Sequence, residues 1–285
     1  MEYRSAIHLQ ATQHLTEDLI RITKEVGFDG VAFGYMAAKN GGLLKQDNWR
    51  EEILKICNWL EKYDLPCVQT HLPCYAIRRP SDEANEEEAQ LIERGIEATA
   101  MLGAKWGAWH PRTDFNHNFN RENGFCDNVR ELTRFVKTAE KFGVGIAVEN
   151  LPVFPDDKEV LFFTSHYEDL IRVVDAMDSP YIGICWDTGH ANLMQFDQGD
   201  ALREVGSRLK ILHLDNNLGF EDLHNSLAVG TIPWDEVVSA LLEIGYDGYL
   251  THEVYCPFAF PELVPTILRH HGECAQWFKQ FFPQA

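Results

Sequence analysis

The sequence predicts an α/β chain folded as one (β/α)8 TIM-barrel domain over residues 1–285. Amphipathic stretches alternate strictly with short apolar runs, no linker interrupts them, and eight such units fill the chain. Strict alternation of this kind argues for a parallel sheet, and eight units in this length is the count of a TIM barrel. A doubly wound open sheet is the competing arrangement, but no GxGxxG comes after the first apolar run to support it.

The unit is clearest in four copies: EVGFDGVAFGY, MLGAKWGAWHP, KFGVGIAVENLP and EIGYDGYLTHEV. In each, an amphipathic stretch ends on a glycine. Gly27, Gly103, Gly143 and Gly245 fit the position just past a helix, where a left-handed conformation costs glycine nothing. The run after each glycine is short, apolar and partly β-branched or aromatic, as a strand buried on both faces requires. With the less regular copies, strands are expected at about 3–10, 28–35, 65–73, 104–111, 143–150, 181–187, 209–215 and 248–254. Helices are expected between them, at about 15–26, 48–63, 84–102, 125–142, 167–177, 199–206, 233–244 and 261–281. Pro233 and Pro261 fall where a first-turn proline is tolerated.

Apolar residues make up 45% of the chain, ordinary for a sizeable core. Forty-four acidic residues against 25 Lys plus Arg give a formal charge of −19. Such an excess repels phosphate backbones and anionic lipid, which argues against nucleic acid and membrane surfaces as partners. Seven cysteines form no CxxC pair, and several sit in apolar runs as small hydrophobes, so a reducing compartment is expected. No apolar run approaches a membrane span, and the first ten residues lack a basic and then apolar leader. A cytoplasmic protein is the expectation.

Polar residues gather at the C-terminal ends of the predicted strands, where TIM-barrel enzymes place their chemistry. Those ends carry His8, His71 in QTHLP, His110 in AWHP, Glu149 in AVENLP, Asp187 in CWDTGH, His213 in ILHLDNN and Glu253 in LTHEV. Side chains two apart share a face. Gly145, Ala147 and Glu149 therefore line one face, as do Gly183, Cys185 and Asp187, and Tyr249, Thr251 and Glu253. Small residues beneath a carboxylate suit a narrow barrel interior. Val148, Ile184 and Leu250 suit packing against helices, and His252 points outward with them. Glu149, Asp187, His213 and Glu253 are thus four inward groups from consecutive strands. Three carboxylates crowded in a low-dielectric cavity repel one another and draw protons. One divalent metal ion resolves that conflict, and a mixed oxygen and nitrogen set suits Mn2+, Zn2+, Mg2+ or Co2+.

At these residues the chain resembles the xylose isomerase-like TIM barrels, which include sugar isomerases and epimerases and the endonuclease IV-type nucleases. The resemblance spans most of the chain and is densest over AVENLP, GICWDTGHAN, ILHLDNN, DLHNSLAVGTIPW and LLEIGYDGYLTHEV. From the ketose 3-epimerases it implies that Glu149, Asp187, His213 and Glu253 bind one metal and that Glu149 and Glu253 are also the catalytic acid/base pair. It implies for His190 a contact with substrate or a second metal. From the nuclease branch it implies that His71, His110, His190, Asp222 and His224 join a site of three Zn2+. Relatives are often dimers or tetramers, so a homo-oligomer is compatible with the resemblance.

The activity implied is a metal-dependent sugar isomerase or epimerase working by proton abstraction beside a carbonyl, through an enediolate. An inosose-type dehydratase on the same site is the alternative, and a three-zinc abasic-site endonuclease a further one, which the charge of −19 opposes. No lysine lies at an inward C-terminal strand end, since Lys105 and Lys210 are at strand starts, which argues against Schiff-base chemistry. The segments DNNLGFED and YCPFAFPE contain no Lys or Arg, favouring an unphosphorylated sugar or cyclic polyol with Phe258 and Phe260 as an apolar lid. Arg78, Arg79 and Arg112 are the cations that could instead meet a phosphate. FGYMAAKNGG and His71 are expected to wall the substrate.

Overall fold

Eight parallel strands alternate with helices around a nearly closed barrel. The computed structural model describes residues 3–12, 14–35, 42–77, 79, 81–113, 120–152, 162–255 and 262–283. The first half runs β1 (Ser5–Gln10), α1 (Glu17–Glu25), β2 (Gly30–Gly34), α2 (Trp49–Lys62), β3 (Cys67–His71), α3 (Asp82–Met101), β4 (Trp106–Trp109) and α4 (Arg121–Phe142). The second half runs β5 (Gly145–Glu149), α5 (Tyr167–Met177), β6 (Ile182–Asp187), α6 (Thr188–Leu193) and α7 (Gln198–Val205). It ends with β7 (Leu209–His213), α8 (Trp234–Glu243), β8 (Leu250–His252) and α9 (Val264–Phe278).

Each strand lies inside its expected range, because flanking residues lie beyond the ladder. The four unit glycines sit at φ of +94°, +79°, +67° and +70° for Gly27, Gly103, Gly143 and Gly245, the conformation that ends each helix and turns the chain into the barrel. Helix starts coincide with side-chain caps: Thr16, Ser81, Asn120 and Asp197 each accept from a backbone N–H in the first turn. Asn120 explains why α4 begins four residues before its expected start. Pro233 stands one position ahead of α8, as its capping residue. Pro261 lies outside the described residues. The periodicity missed α6, which is only six residues long.

The strands take the order β7-β6-β5-β4-β3-β2-β1-β8. Beyond the two end strands, the Leu214 N–H donates to the Thr251 carbonyl (2.8 Å) and the Glu253 N–H to the Leu214 carbonyl (2.9 Å). These bonds bring β7 beside β8 and close the ring.

Alternation sorts the side chains into two apolar layers. Ile7, Phe33, Ile146, Val148, Ile184, Trp186, Leu212 and Leu250 join the helices in the large outer core. Ala108, Ala147, Cys185 and Ile211 form a separate inner cluster with Trp106. A Cβ on Gly145 would collide with the Trp106 ring, and one on Gly183 with the Lys210 stem. The floor of the barrel is therefore filled by two large side chains over two glycines. Above it the Thr251 hydroxyl donates to Gln69 Oε1 (3.0 Å), and Gln69 Nε2 donates to the Leu212 carbonyl (3.1 Å).

Candidate metal centre

Above that packed floor lies a cavity of about 260 Å³, lined by residues including His8, Gln10, His71, Cys74, His110, Glu149, His190, Asp222, His224 and Glu253. Asp187 and His213 stand in its immediate wall, each with a donor atom close to those of Glu149 and Glu253.

Glu149 is wholly buried at the end of β5, and neither of its carboxylate oxygens has a hydrogen bond among the described residues. Oε1 faces His213 Nδ1 (3.3 Å) and His190 Nδ1 (3.5 Å). Oε2 faces His71 Nε2 (3.3 Å) and His110 Nε2 (3.4 Å). One carboxylate thus looks in two directions. On one side, Glu149, Asp187, His213 and Glu253 each place a donor atom within 4.8 Å of the others. His213 Nδ1 lies 2.8 Å from Glu253 Oε2, and Glu253 Oε1 lies 2.6 Å from His8 Nδ1. Asp187 Oδ2 and His213 Nδ1 are also buried without hydrogen bonds. Orphaned buried carboxylate and imidazole atoms converging on one point are what a cation would satisfy.

Burial opposes ionisation of Glu149, but the His213 and His110 rings outweigh it and hold its carboxyl well below the ordinary range. The same balance, with His213 and His8 as partners, lowers Glu253. Asp187 goes the other way: burial pushes it up to about 6. Burial works against the imidazolium of His213, but Cys185 beneath it and the Glu253 and Glu149 carboxylates outweigh that and raise the ring well above its ordinary value.

Local structure fixes which ring nitrogen each histidine presents. His71 Nδ1 donates to the Leu72 carbonyl, His190 Nδ1 to the Asn150 carbonyl and His224 Nδ1 to the Glu253 carbonyl, each at 2.8 Å. A carbonyl only accepts, so Nδ1 keeps its proton in each ring; burial works against the charged rings, but neighbouring acidic groups raise all three above the ordinary value, and once a ring is neutral its Nε2 lone pair is the one left to ligate. His190 Nε2 and His224 Nε2 lie 3.4 and 3.5 Å from Asp222 Oδ2, and these three residues form a further group of donors. Burial resists ionisation of Asp222, and the two imidazoles keep it well below the ordinary range.

His190 belongs to α6. Asp187 caps that helix, its Oδ1 accepting from the His190 N–H at 2.6 Å. Asn150 ties β5 to β6 by accepting from the Asp187 N–H (2.7 Å) and donating to the Asp187 carbonyl (2.8 Å). Asp215, two residues past β7, holds α6 by accepting from the Gly189 N–H at 2.8 Å. A paired backbone bridge between Asn216 and Asn225 loops out Asp222 and His224, and His224 adopts a left-handed φ of +45° there. Sequence reading missed Asn150, Asp215 and Cys74. The alternation Ala6, His8, Gln10 in β1 was the available signal for His8 as the partner of Glu253.

Arg112 does not reach the cavity. It is buried with its guanidinium 3.0 Å from Glu88 of α3 and 3.0 Å from Glu131 of α4. Arg79 is engaged by Glu88 at 2.7 Å. Both cations are thus paired with carboxylates outside the cavity. Arg78, Phe258, Phe260 and most of FGYMAAKNGG lie outside the described residues. His252 faces the helices, edge-on to Phe28 and Phe278.

The family described as xylose isomerase-like TIM barrel matches residues 20–271. An uncharacterised protein, MJ1311, of Methanocaldococcus jannaschii is 35% identical over 129 residues, which cover 45% of this chain and 42% of that protein. D-psicose 3-epimerase of Enterocloster bolteae is 31% identical over 157 residues, covering 54% and 48%. The matched segments thus span about half the length of these curated relatives. Among solved structures, the IolI protein with a bound zinc atom superposes with a TM-score of 0.76 at 16% identity, over 98% of this chain and 99% of that one.

Proposed function

The chain belongs to the xylose isomerase-like TIM barrel family, and from that premise we propose that it is a metal-dependent isomerase or epimerase of an unphosphorylated sugar or cyclic polyol ketone. The observation that carries this reading is the pair of glutamates, Glu149 and Glu253, set on either side of His213 at 3.3 and 2.8 Å. Glu149, Asp187, His213 and Glu253 would hold one divalent ion, which would stabilise negative charge on the substrate oxygens as a proton leaves the neighbouring carbon.

One glutamate takes the proton from carbon beside the carbonyl, and the other returns a proton on the opposite face. Both are held ionised by neighbouring imidazoles, so each can act first as the base. His8 fixes one oxygen of Glu253. Among the described residues lining the cavity there is no lysine or arginine, which disfavours a phosphorylated substrate. His71, His110 and His190 stand where they can donate to or accept from substrate hydroxyls.

Metal analysis of the purified protein combined with an assay against ketoses and inososes tests the reading. At least one bound ion per chain and turnover of a ketose are expected; less than half an equivalent after purification without chelator would refute it. A dehydrated product from an inosose would instead assign the dehydratase reaction to the same two glutamates. One observation favours a second reading, a three-zinc phosphodiesterase acting at abasic sites: His190, Asp222 and His224 form a further donor group beside the first. Three ions per chain with nicking of abasic DNA would establish it, against the charge of −19.

A further inference from the structure

We propose that Arg112 is a positioning residue: its buried guanidinium fixes the loop after β4, which carries His110, and so sets where that ring meets the substrate. The proposal rests on the reading that the cavity binds a sugar or cyclic polyol ketone, and it assigns a task to a cation that touches no reacting atom. Arg112 is only 4% exposed. A charge that enclosed is weak evidence of stability, since apolar replacements of a buried ion pair are often just as stable. What such a network supplies is a single geometry.

His110 has little support of its own. His71, His190 and His224 are each tied through Nδ1 to a main-chain carbonyl. No carbonyl among the described residues holds the His110 ring, whose Nε2 faces His71 Nε2 (3.1 Å) and Glu149 Oε2 (3.4 Å). Its place therefore depends on the backbone that carries it.

That backbone is gripped at the residues that follow. Pro111 restricts φ directly after His110. The Arg112 N–H donates to Asn128 Oδ1 (2.7 Å), and the Arg112 carbonyl accepts from Asn128 Nδ2 (2.9 Å), so α4 holds both main-chain groups of one residue. The Thr113 N–H donates to the Ala76 carbonyl (2.7 Å), and the Thr113 hydroxyl accepts from the Phe163 N–H (2.9 Å), tying in the segments after β3 and β5. The Arg112 side chain then anchors this strip to two helices. Nη1 donates to Asn85 Oδ1 (2.9 Å) and Glu88 Oε2 (3.0 Å) of α3, while Nε lies 3.0 Å from Glu131 Oε2 of α4. Arg79 donates to the other Glu88 oxygen at 2.7 Å. Arg79, Glu88, Arg112 and Glu131 thus alternate in sign along a chain without net charge. A planar fork with donors in fixed directions can span these partners, and a flexible ammonium cannot.

The test uses the full chain and two readouts. The first is independent of turnover: side-chain NMR of protein labelled in its histidine ring nitrogens, with His110→Asn identifying the His110 signals. One set of His110 ring signals is expected in the unaltered protein. Arg112→Lys keeps the buried charge without the fork, so the fold should survive while the His110 signals shift or split and those of His190 and His224 stay. Arg172→Lys, at an exposed ion pair with Glu122, should move none of them. The second readout is turnover of the ketose or inosose the protein accepts. Arg112→Lys should lower kcat/KM by about 10²-fold, the cost of a displacement of about 1 Å. Most of that loss should vanish once His110 is already Ala, because both changes act through one ring. If Arg112→Lys does not fold, Arg112→Met combined with Glu131→Gln leaves the chain of charges balanced and carries the same expectations. His110 signals that are unmoved, or rings that all move together, overturn the proposal. So does a loss in kcat/KM that is undiminished in the His110→Ala background. No turnover by the unaltered protein overturns the functional reading instead, and the ring signals still decide the role of Arg112.

Discussion

Glu149 and Glu253 differ in what surrounds them more than in what they are. Glu149 is wholly enclosed among four histidines. Glu253 is shared by His8 and His213 and retains some exposure. In the proposed reaction each is needed as acid and base, so Glu149→Gln and Glu253→Gln should each lower kcat by about 10²–10⁴-fold or more. Circular dichroism checks that the fold survives, and metal content separates lost chemistry from a lost ligand; near-normal turnover in either variant would sink the two-carboxylate scheme. Asp187 sets the acid limit of loading. Its carboxyl, raised by burial to about 6, must be ionised to ligate, so bound metal should fall as pH drops through 6, read by equilibrium dialysis. In the metal-free protein this group's contribution to stability is complete below its ordinary value of 3.8 and lost as pH rises through about 6. Content that stays flat from pH 7 to 5 would contradict that assignment.

At the scale of elements, the short helix α6 and the ends of β5 and β6 form one joint, with Asn150 at its centre. Asn150→Ala removes both bonds to the Asp187 backbone and leaves a buried N–H unpaired. The expected loss is about 1–3 kcal/mol in urea unfolding, with weaker metal binding because Asp187 and His190 both shift. Unchanged metal affinity would show that the joint does not position the ligands. This is also where sequence legibility gives way. Period-two alternation puts Glu149 over Gly145 and Ala147, and a glycine after each helix marks where strands begin. A six-residue helix carries too little periodic signal to find, and its cap is Asp187, which the alternation assigns to strand β6. Nor does any local pattern announce that the Asn150 amide will pair with the next strand or that Cys74 will come within 3.6 Å of a histidine nitrogen. Those contacts exist only once neighbouring strands are in register.

For the molecule as a whole, the count of βα units was enough to predict the closed parallel sheet, because each unit carries its own start and stop signals. What the count does not give is how strongly each neighbouring pair is joined. Seven of the eight adjacent strand pairs share registered ladders, β1 with β2 and β5 with β6 among them. The eighth, β7 with β8, meets through the few bonds around Leu214. His213 and Glu253 stand on opposite sides of that join. An ion held by both would therefore act as a clasp across the barrel's weakest seam, coupling occupancy to local opening. Amide hydrogen exchange should show it: the Leu214 and Glu253 N–H groups should slow on metal loading, while those of β5 and β6, already laddered, change less. The position that carries the chemistry would then also be the latch that keeps the barrel shut.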